Sequence, residues 1–397
     1  MPGEGARLSS RILLLRPTAV NTVLQEVRAL QAQGRKLVSL MRGEPDFATP
    51  PHIVQAAMDA LKAGRTAYPD NRGEPVLREA VAQKLGQDKR ITYDPASEIL
   101  VTDGATLGIY AALMALLEPG DEVLVPDPIY DAYQSPIRLT GATPRAVRSS
   151  RTGTRFHLTI EALEEASTPK TRMLLLNTPW NPVGTVFTES ELKEISDFVC
   201  RRNLVLISDE IYESITYDYH THVSPAAVSP EMRQRCVVVN SFSKTYAMTG
   251  WRLGYCAAPE EVIRSMLLVL QQSSRGPATF IQHAGAAALT GSQDCVRQMC
   301  RIYAERRQLA MQALNGIPGI EVLPPEGGFF TMLDVSGCGR TSDEVRRHLL
   351  AGDPGVVVIH GRAYGEGGEG TLRVSFASGG DNLSRGLEAL HKGLESL

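Results

Sequence analysis

Short apolar runs alternate with amphipathic stretches through the middle of this 397-residue chain, and this alternation constrains the fold more than any other feature. Several runs are apolar almost throughout, which is typical of strands covered on both faces of a mostly parallel sheet. The stretches between them have helical patterns, and the one from Thr188 opens with a capping-box sequence. The chain is therefore expected to contain an α/β domain with strands at 99–102, 122–126, 173–177, 204–208, 236–241 and 253–256.

The last third of the chain has a different pattern, which is mainly helical beyond Glu260. Helices are expected over 261–272 and 291–314, and a Pro/Gly-rich stretch covers 316–328. Further strands are expected over 329–334, 356–359 and 372–376. We therefore expect a large domain over residues 46–288 and a smaller α+β domain built from residues 1–45 and 289–397.

Charge and composition exclude several functions. The chain has 41 Lys plus Arg residues against 44 Asp plus Glu, a formal net charge of −3, so no long-range field favours nucleic acid or an anionic membrane. It has no run of 18 apolar residues, and residues 1–16 lack the apolar core of a signal peptide. Its six cysteines form no Cys-x-x-Cys pair, so we expect free thiols and no metal site. These features predict a soluble cytoplasmic protein.

Polar residues follow four of the predicted strands, at the place where ligands bind in a doubly wound sheet. The first segment, 103–106, leads into a helix whose free N–H groups can hold a phosphate. The others are 177–184, 208–212 and 241–244. Each alone is most often a turn or a helix cap, but their order and placement together predict one crevice. Lys244 is its candidate nucleophile, because it lies in a Ser/Thr-rich loop after a buried strand, where a desolvated amine can react.

These motifs resemble those of class I aminotransferases, the fold-type I pyridoxal-phosphate enzymes of the aspartate aminotransferase superfamily. The resemblance runs from Gly43-Glu-Pro-Asp-Phe47 through Ser208-Asp-Glu-Ile-Tyr212 and Ser241-Phe-Ser-Lys244 to Leu372-Arg-Val-Ser375, and it covers almost the whole chain. It implies a mostly parallel seven-stranded sheet between helices, with a smaller α+β domain. It also implies transfer of an amino group from an L-amino acid to a 2-keto acid by a ping-pong mechanism.

The resemblance implies three catalytic residues. Lys244 would form the Schiff base with pyridoxal 5'-phosphate and later move a proton between the substrate Cα and the cofactor; burial favours the neutral amine that this role needs. Asp209 would keep the pyridine nitrogen protonated, so that the ring accepts electrons. Tyr212, together with Asn181, would donate hydrogen bonds to the ring oxygen.

The cofactor phosphate would lie at the start of the helix that follows Gly104, on the backbone amides of Ala105 and Thr106. A dianion needs several donors and at least one cation. According to the resemblance, the hydroxyls of Thr106 and Ser241 would be further donors, and the guanidinium of Arg252 would be the cation.

Two tyrosines match family positions that contact the cofactor. Tyr130 corresponds to an aromatic ring that stacks on the pyridine, with a core tyrosine as the alternative. Tyr68 corresponds to a tyrosine that reaches the phosphate of the neighbouring subunit. The resemblance therefore implies a homodimer with shared active sites.

Arg373 would bind the substrate α-carboxylate through two parallel hydrogen bonds, a geometry that Lys cannot reproduce. Asn181 and the backbone of Gly43 would assist. Holding the carboxylate in this way sets the Cα–H bond perpendicular to the ring, which favours deprotonation over decarboxylation.

Three departures from the family pattern leave the substrate open. Arg42 precedes Gly43, where a small residue is common, His360 replaces a proline, and Arg275 lies in a segment that relatives direct towards the partner's site. Our hypothesis is that Arg42 or Arg275 contacts a substrate side-chain carboxylate, with a structural or solvated arginine as the alternative. Parts of 220–289 are also similar to bacterial arginine:pyruvate transaminases, which keeps a basic substrate open.

Two other functions compete with transamination. A β-lyase similar to cystathionine lyases would use the same cofactor and core. A non-catalytic pyridoxal-phosphate-binding regulatory module would need a DNA-binding region, and only about forty residues precede Gly43, with no basic helix-turn-helix pattern.

Overall fold

The computed structural model describes residues 9–397. The expected contribution of residues 1–8 to the small domain lies outside this range. The helices are α1 (Ala19–Ala32), α2 (Pro51–Lys62), α3 (Pro75–Lys89), α4 (Ala105–Leu116), α5 (Gln134–Leu139), α6 (Ile160–Ala166), α7 (Glu189–Arg201), α8 (Pro230–Arg233), α9 (Phe242–Thr245), α10 (Glu260–Ser273), α11 (Thr279–Thr290), α12 (Asp294–Leu314), α13 (Ser342–Ala351) and α14 (Gly380–Glu395). The strands are β1 (Leu37–Ser39), β2 (Ile99–Thr102), β3 (Glu122–Asp127), β4 (Thr143–Arg148), β5 (Ser150–Thr152), β6 (Arg155–His157), β7 (Thr171–Asn177), β8 (Val205–Asp209), β9 (Cys236–Ser241), β10 (Gly254–Ala257), β11 (Glu321–Leu323), β12 (Phe330–Asp334), β13 (Gly355–Val357), β14 (Ile359–His360) and β15 (Thr371–Ser375).

The main sheet has seven strands in the order β2-β10-β9-β8-β7-β3-β4. The β9–β8, β8–β7, β7–β3 and β3–β4 pairs are parallel, and β10 runs antiparallel to both of its neighbours. This arrangement confirms the predicted α/β fold. Six of the strands match the predicted runs to within a few residues, whereas β4 was missed because most of its residues are at least partly exposed.

Both faces of the main sheet are covered, as the apolar runs predicted. Alternate strand residues belong to different hydrophobic clusters: Leu174 packs with α3, α7 and α11, and its neighbour Leu175 packs with α4 and α10. This alternation follows from the period of two in a strand. The capping box of α7 is also present, since the Thr188 hydroxyl accepts from the Glu191 backbone and the Glu191 side chain accepts in return.

The C-terminal region contains a four-stranded antiparallel sheet in the order β11-β12-β15-β14, and β1 pairs in parallel with β13. The single strand expected over 356–359 is wrong, because the chain forms β13 and β14 with different partners. In this sheet Arg373 of β15 lies opposite Met332 and Ile359. Between residues 9 and 397, no helix is long and apolar enough to cross a membrane.

Candidate active site

A cavity of about 630 Å³ lies at the carboxyl ends of β7, β8 and β9. The fold brings most of the predicted site residues to its wall, namely Gly43, Ala105, Thr106, Tyr130, Asn181, Asp209, Tyr212, Ser241, Lys244, Arg252 and Arg373. Gly104 lies against Arg252 at the same end of the cavity. Tyr68 lies outside it and is 83% exposed, so its predicted contact with a neighbouring subunit stays a prediction.

Lys244 enters the cavity from the short helix α9, which begins directly after β9. Its Nζ donates a hydrogen bond of 2.5 Å to the carbonyl oxygen of Gly43. Burial lowers the pKa of Lys244 from 10.5 to about 8, with the Glu44 carboxylate opposing and Arg373 reinforcing this shift. The amine is therefore neutral in a substantial fraction of molecules near physiological pH.

Asp209 is the last residue of β8 and is only 3% exposed. Its carboxylate accepts hydrogen bonds from the Tyr133 hydroxyl, at 2.5 Å, and from the Ile211 backbone, at 3.3 Å. Burial raises the pKa of Asp209 to about 6, although the bond from Tyr133 acts in the opposite direction. Within residues 9–397, no Lys or Arg pairs with this carboxylate, so its charge is available for a cationic ligand.

Asn177, the last residue of β7, and Asn181 after it connect Asp209 with Arg373. The side chain of Asn177 donates to the Asp209 carbonyl oxygen at 3.0 Å and accepts from the Asn181 backbone at 2.8 Å. Asn181 in turn accepts a hydrogen bond of 3.2 Å from Arg373. The cofactor-side carboxylate and the predicted substrate-binding guanidinium are therefore positioned by the same turn.

The guanidinium of Arg373 is buried between the rings of Phe330 and Tyr364, whose centroids lie 5.5 and 5.1 Å from its Cζ. It donates to Asn181 and, at 3.1 Å, to the Met41 carbonyl oxygen. Its Nε–H is buried and has no hydrogen-bond partner in the described part of the chain. A buried N–H without a partner is costly, which favours an anionic ligand at this position.

The start of α4 has the donors and the nearby cation that an anion would need. Its first N–H groups have no partner within the helix, and the Arg252 guanidinium lies beside them. The Ser241 hydroxyl accepts from the Ser243 backbone at 3.0 Å and keeps its own hydrogen for another acceptor. Gly104 has φ +79°, and a Cβ there would lie 2.7 Å from Arg252, so a glycine keeps the guanidinium in place.

Tyr130 and Tyr212 both line the cavity wall. Tyr130 makes an edge contact with Tyr133, with ring centroids 5.4 Å apart. Tyr212 is buried with its ring against the edges of Phe329 and Phe330. Burial raises the pKa of both tyrosines, so both keep their hydroxyl hydrogen and can donate it.

The three unusual residues have different positions. Arg42 lines the cavity and pairs with Glu44, its Nε lying 2.8 Å from the carboxylate. Arg275 lies outside the cavity of this chain, with its Cζ 5.4 Å from the centre of the Tyr68 ring. His360 is half-buried in β14 and lies outside the cavity wall, and burial lowers its pKa.

Several cavity residues escaped sequence reasoning. Tyr133 had a detectable signal, since it follows Tyr130 by three positions, and Asn177 lay in the predicted polar segment 177–184 without being given a role. The wall contributed by α1 had no such signal. It includes Thr18, Asn21 and Leu24, and the Ala19 backbone donates to Asp131 at 2.6 Å.

Comparison with known proteins identifies the family. The model of the family "Aminotransferase class I and II" matches residues 35–390. The chain is 34% identical to an aspartate aminotransferase of Geobacillus stearothermophilus, over 98% of this chain and 99% of that protein. It is 37% identical to aromatic-amino-acid aminotransferase 2 of Thermococcus litoralis, over 98% of both chains. The crystal structure of the aspartate aminotransferase from Rhizobium meliloti superposes with a TM-score of 0.94 at 33% identity, covering 98% of this chain and 99% of that one.

The chain therefore belongs to the class I and II aminotransferase family. It is a pyridoxal-phosphate-dependent aminotransferase that transfers an amino group from an amino acid to a 2-keto acid, as the sequence motifs predicted. The β-lyase alternative gains no support from these relatives.

Proposed function

We propose that the cavity is the transamination site and that Lys244 is its reacting amine. When bound, pyridoxal phosphate supplies an aldehyde carbon that condenses with primary amines and a ring that takes up the electron pair of the substrate Cα. One observation supports the proposal above all. The same cavity holds a lysine whose pKa is lowered to about 8 and a buried arginine whose Nε–H has no partner among residues 9–397.

The loop before Glu44 aligns the two groups that act on the substrate. Gly43 accepts from Lys244, and Met41 accepts from Arg373. In its neutral form, Nζ of Lys244 would take a proton from the substrate Cα and deliver it to C4′ of the cofactor, its aldehyde carbon. Arg373, with Asn181 and the Gly43 backbone, holds the α-carboxylate so that the Cα–H bond points at Nζ.

Asp209 supplies the negative charge that the protonated ring nitrogen of the cofactor requires. Tyr133 supports this role, because its hydrogen bond stabilises the carboxylate form against the effect of burial. Tyr212 and Asn181 would donate to the ring oxygen, and Tyr130 would pack against the ring. These residues suit the cofactor because the Asp209 carboxylate is buried without a cation among the described residues.

The phosphate binds at the start of α4. Backbone N–H groups of Ala105 and Thr106 donate to it, together with the hydroxyls of Thr106 and Ser241. Arg252 supplies the cation, and Gly104 leaves the room that this guanidinium needs.

A direct experiment tests the assignment of Lys244. Borohydride reduction of the cofactor-loaded enzyme, followed by peptide mass spectrometry, is expected to place the cofactor on the peptide containing Lys244. Attachment to another lysine would contradict the proposal. The enzyme loaded with pyridoxal phosphate should also lose its visible absorbance on addition of an amino acid and regain it with a keto acid. Pyruvate release from a β-substituted amino acid without a keto acid would instead indicate a lyase.

We further propose that the amino donor is aspartate-like and that Arg42 binds its distal carboxylate. Arg42 lines the cavity, its ion pair with Glu44 is exposed, and curated relatives include enzymes named aspartate aminotransferase. A substrate carboxylate would compete with Glu44 for the guanidinium. A guanidinium substrate would compete with Arg42 for Glu44, which is the outcome that the basic-substrate alternative requires.

The substrate proposal is tested with Arg42→Ala against Arg275→Ala, using aspartate, phenylalanine, arginine and alanine as donors. Arg42→Ala should lower kcat/KM for aspartate relative to alanine by about fivefold, since an exposed ion pair contributes about 1 kcal/mol. An unchanged ratio would exclude Arg42. A fall confined to Arg275→Ala would assign the role to Arg275.

We also propose a homodimer in which Tyr68 of each subunit completes the phosphate site of the other. Its high exposure beside Arg275, outside the cavity of its own chain, supports this arrangement. Mixing the inactive variants Tyr68→Ala and Lys244→Ala and allowing subunits to exchange should restore activity, because one site of each hybrid is then intact. No gain on mixing, or a monomer in light scattering, would contradict the proposal.

The domain division at 46–288 and the cytoplasmic location remain proposals. Two hydrophobic clusters flank the main sheet and a further cluster surrounds β12 and β15, which supports the division. The cysteines are all free, which suits a reducing compartment. Limited proteolysis and cell fractionation test the two proposals.

A further inference from the structure

A buried group of charges lies behind Asp209, outside the cavity. We call it the buried charge cluster and define it as Lys84, Lys89, Glu210, Glu213 and His222. Glu210, Glu213 and His222 have the spacing of metal ligands. However, the Lys89 ammonium lies against both carboxylates and takes the place that a cation would occupy.

We propose that Lys89 is a positioning residue for transamination: by pairing with Glu210 and Glu213, it holds the turn that presents Asp209 and Tyr212 to the cavity. This inference rests on the role proposed above for Asp209. Lys89 ends α3, and its two glutamate partners lie directly after Asp209 and directly after Tyr212.

The side chain of Glu210 is fixed at both oxygens. One oxygen accepts from Lys89, and the other accepts from the hydroxyls of Ser208, at 2.9 Å, and Ser224, at 2.6 Å. The Glu210 backbone also donates to Val239 at 2.8 Å, as a continuation of the sheet. Because successive strand residues point to opposite faces, fixing Glu210 on one side directs Asp209 to the other.

The turn after Glu210 is fixed by the same lysine. The Glu213 backbone donates to the Glu210 carbonyl oxygen at 3.0 Å, and the Glu213 side chain pairs with Lys89 and, at 3.0 Å, with Lys84. Tyr212 lies between these two anchored glutamates. Lys89 therefore bridges the two residues that directly follow Asp209 and Tyr212, the proposed cofactor contacts of this segment.

The charges in the cluster are balanced. Among the buried side chains, two ammonium groups face two carboxylates, and Lys84 also pairs at 2.7 Å with Asp88, whose side chain is 56% exposed. Burial lowers the pKa of His222 to about 4, so this imidazole is neutral at working pH. Side-chain exposure is 6% for Lys89 and 0% for Glu210. Removing one partner of a buried pair leaves an uncompensated charge, and the segment then has to move towards water.

The central experiment compares Lys89→Met with the parent enzyme. We expect kcat to fall by about 10²-fold with KM for the amino acid nearly unchanged, because displacement of a catalytic group by about 1 Å has effects of this size. The apoprotein should also bind pyridoxal phosphate more weakly, measured by fluorescence quenching. Lys89→Arg, which keeps the charge, should recover most of both losses.

The control is Arg233→Met. Arg233 pairs with Glu98 at 2.7 Å and is less deeply buried, with a side-chain exposure of 19% against 6% for Lys89, and this pair lies at the amino end of β2, away from the cavity. This variant should lower Tm without changing kcat or cofactor affinity. A merely structural role for Lys89 predicts that both methionine variants behave alike.

If Lys89→Met does not fold, Ser224→Ala is the variant that tests the inference. It removes one hydrogen bond from Glu210 and should lower kcat by about fivefold, as expected for one neutral hydrogen bond. Parental kcat and cofactor affinity in a folded Lys89→Met, or in Ser224→Ala, would overturn the inference. Asp209→Asn distinguishes a failure of this inference from a failure of the proposed role of Asp209. If Asp209→Asn keeps parental kcat, the role of Asp209 is wrong. If Asp209→Asn lowers kcat while the Lys89 and Ser224 variants keep it, only the role of Lys89 is wrong.

Discussion

Charged side chains on the two sides of the carboxyl end of β8 differ in whether they have partners of opposite charge. On the cavity side, Asp209 is buried without a cation in the described part of the chain, and Arg373 keeps an N–H without a partner. On the other side, Glu210 and Glu213 are matched by Lys84 and Lys89. The cavity side thus presents an anion and a donor that a ligand can match, whereas the charges of the buried charge cluster are matched within the protein.

We interpret this difference as one between residues that contact the ligands and residues that only position other residues. An unmatched buried charge raises the free energy of the enzyme without ligand, and a ligand of opposite charge offsets this cost when it binds. Matched charges contribute to a rigid frame but have no capacity left for a ligand. The following changes test whether the contrast holds, beginning with the largest expected effect.

Replacing Lys244 with Ala should lower kcat by about 10⁴-fold or more, because the reacting amine and the proton carrier are lost together. Single-turnover absorbance measurements with an amino donor would measure the effect. Tm of the apoprotein should change little, since the side chain makes one hydrogen bond to Gly43. Retention of activity within tenfold would place the chemistry on another residue.

Replacing Arg373 with Lys should lower kcat/KM by about 10²-fold, because a charge-assisted hydrogen bond contributes about 3 kcal/mol and the ammonium cannot bind a carboxylate at two points. Initial rates over a range of amino donor concentrations would show the loss. The matched control is Arg362→Lys, an exposed arginine that pairs with Glu366. Equal effects in the two variants would remove Arg373 from the substrate site.

Replacing Gly104 with Ala should weaken cofactor binding by about tenfold, since a residue with a side chain is strained by about 1–3 kcal/mol at positive φ. The new Cβ would also displace Arg252 from its position 2.7 Å away. Equilibrium binding of pyridoxal phosphate to the apoprotein measures the change. Gly153→Ala is the control, because Gly153 has φ +57° and an added Cβ would have open space around it. If the two variants bind the cofactor equally, steric exclusion at the phosphate site is wrong.

Of the two sides of β8, only the cavity side should contain groups that change protonation state near neutral pH. The pKa of Lys244 is about 8, and protonation blocks attack on the aldehyde, so the rate of cofactor attachment should fall by about tenfold per pH unit below that value and level off above it. In the cluster, the pKa of Glu213 is lowered and those of Lys84 and Lys89 are raised by their mutual charges against the effect of burial, so these groups keep their charge. Stopped-flow mixing of apoprotein and pyridoxal phosphate, with acetyl-lysine as the reference amine, tests this difference. A rate that rises to pH 10.5, the ordinary lysine pKa, would contradict it.

The main sheet was predictable because burial on both faces leaves a local signal, a short run of apolar residues. β4 lacks that signal because it is an edge strand with exposed side chains. The pairing of β1 with β13 lacks it as well, since strands of three residues show no periodicity. Local pattern therefore predicts the covered centre of the fold and fails at its margins.

The site divides along a similar line. Lys244 and Asp209 follow buried strands and were found from motif and position. Lys89 was not predicted, because its contact with Glu210 spans 121 residues of sequence and the helix that it ends shows no unusual feature. Residues that act through another residue depend on tertiary contacts, which a single sequence does not display.

The unsatisfied Nε–H of Arg373 has a practical consequence at the bench. A buried donor that lacks a partner attracts any small carboxylate, whether or not it carries an amino group. If Arg373 binds the α-carboxylate as proposed, acetate or formate in a buffer should compete with the amino donor, and an apparent KM measured in such a buffer would report the buffer as well as the enzyme.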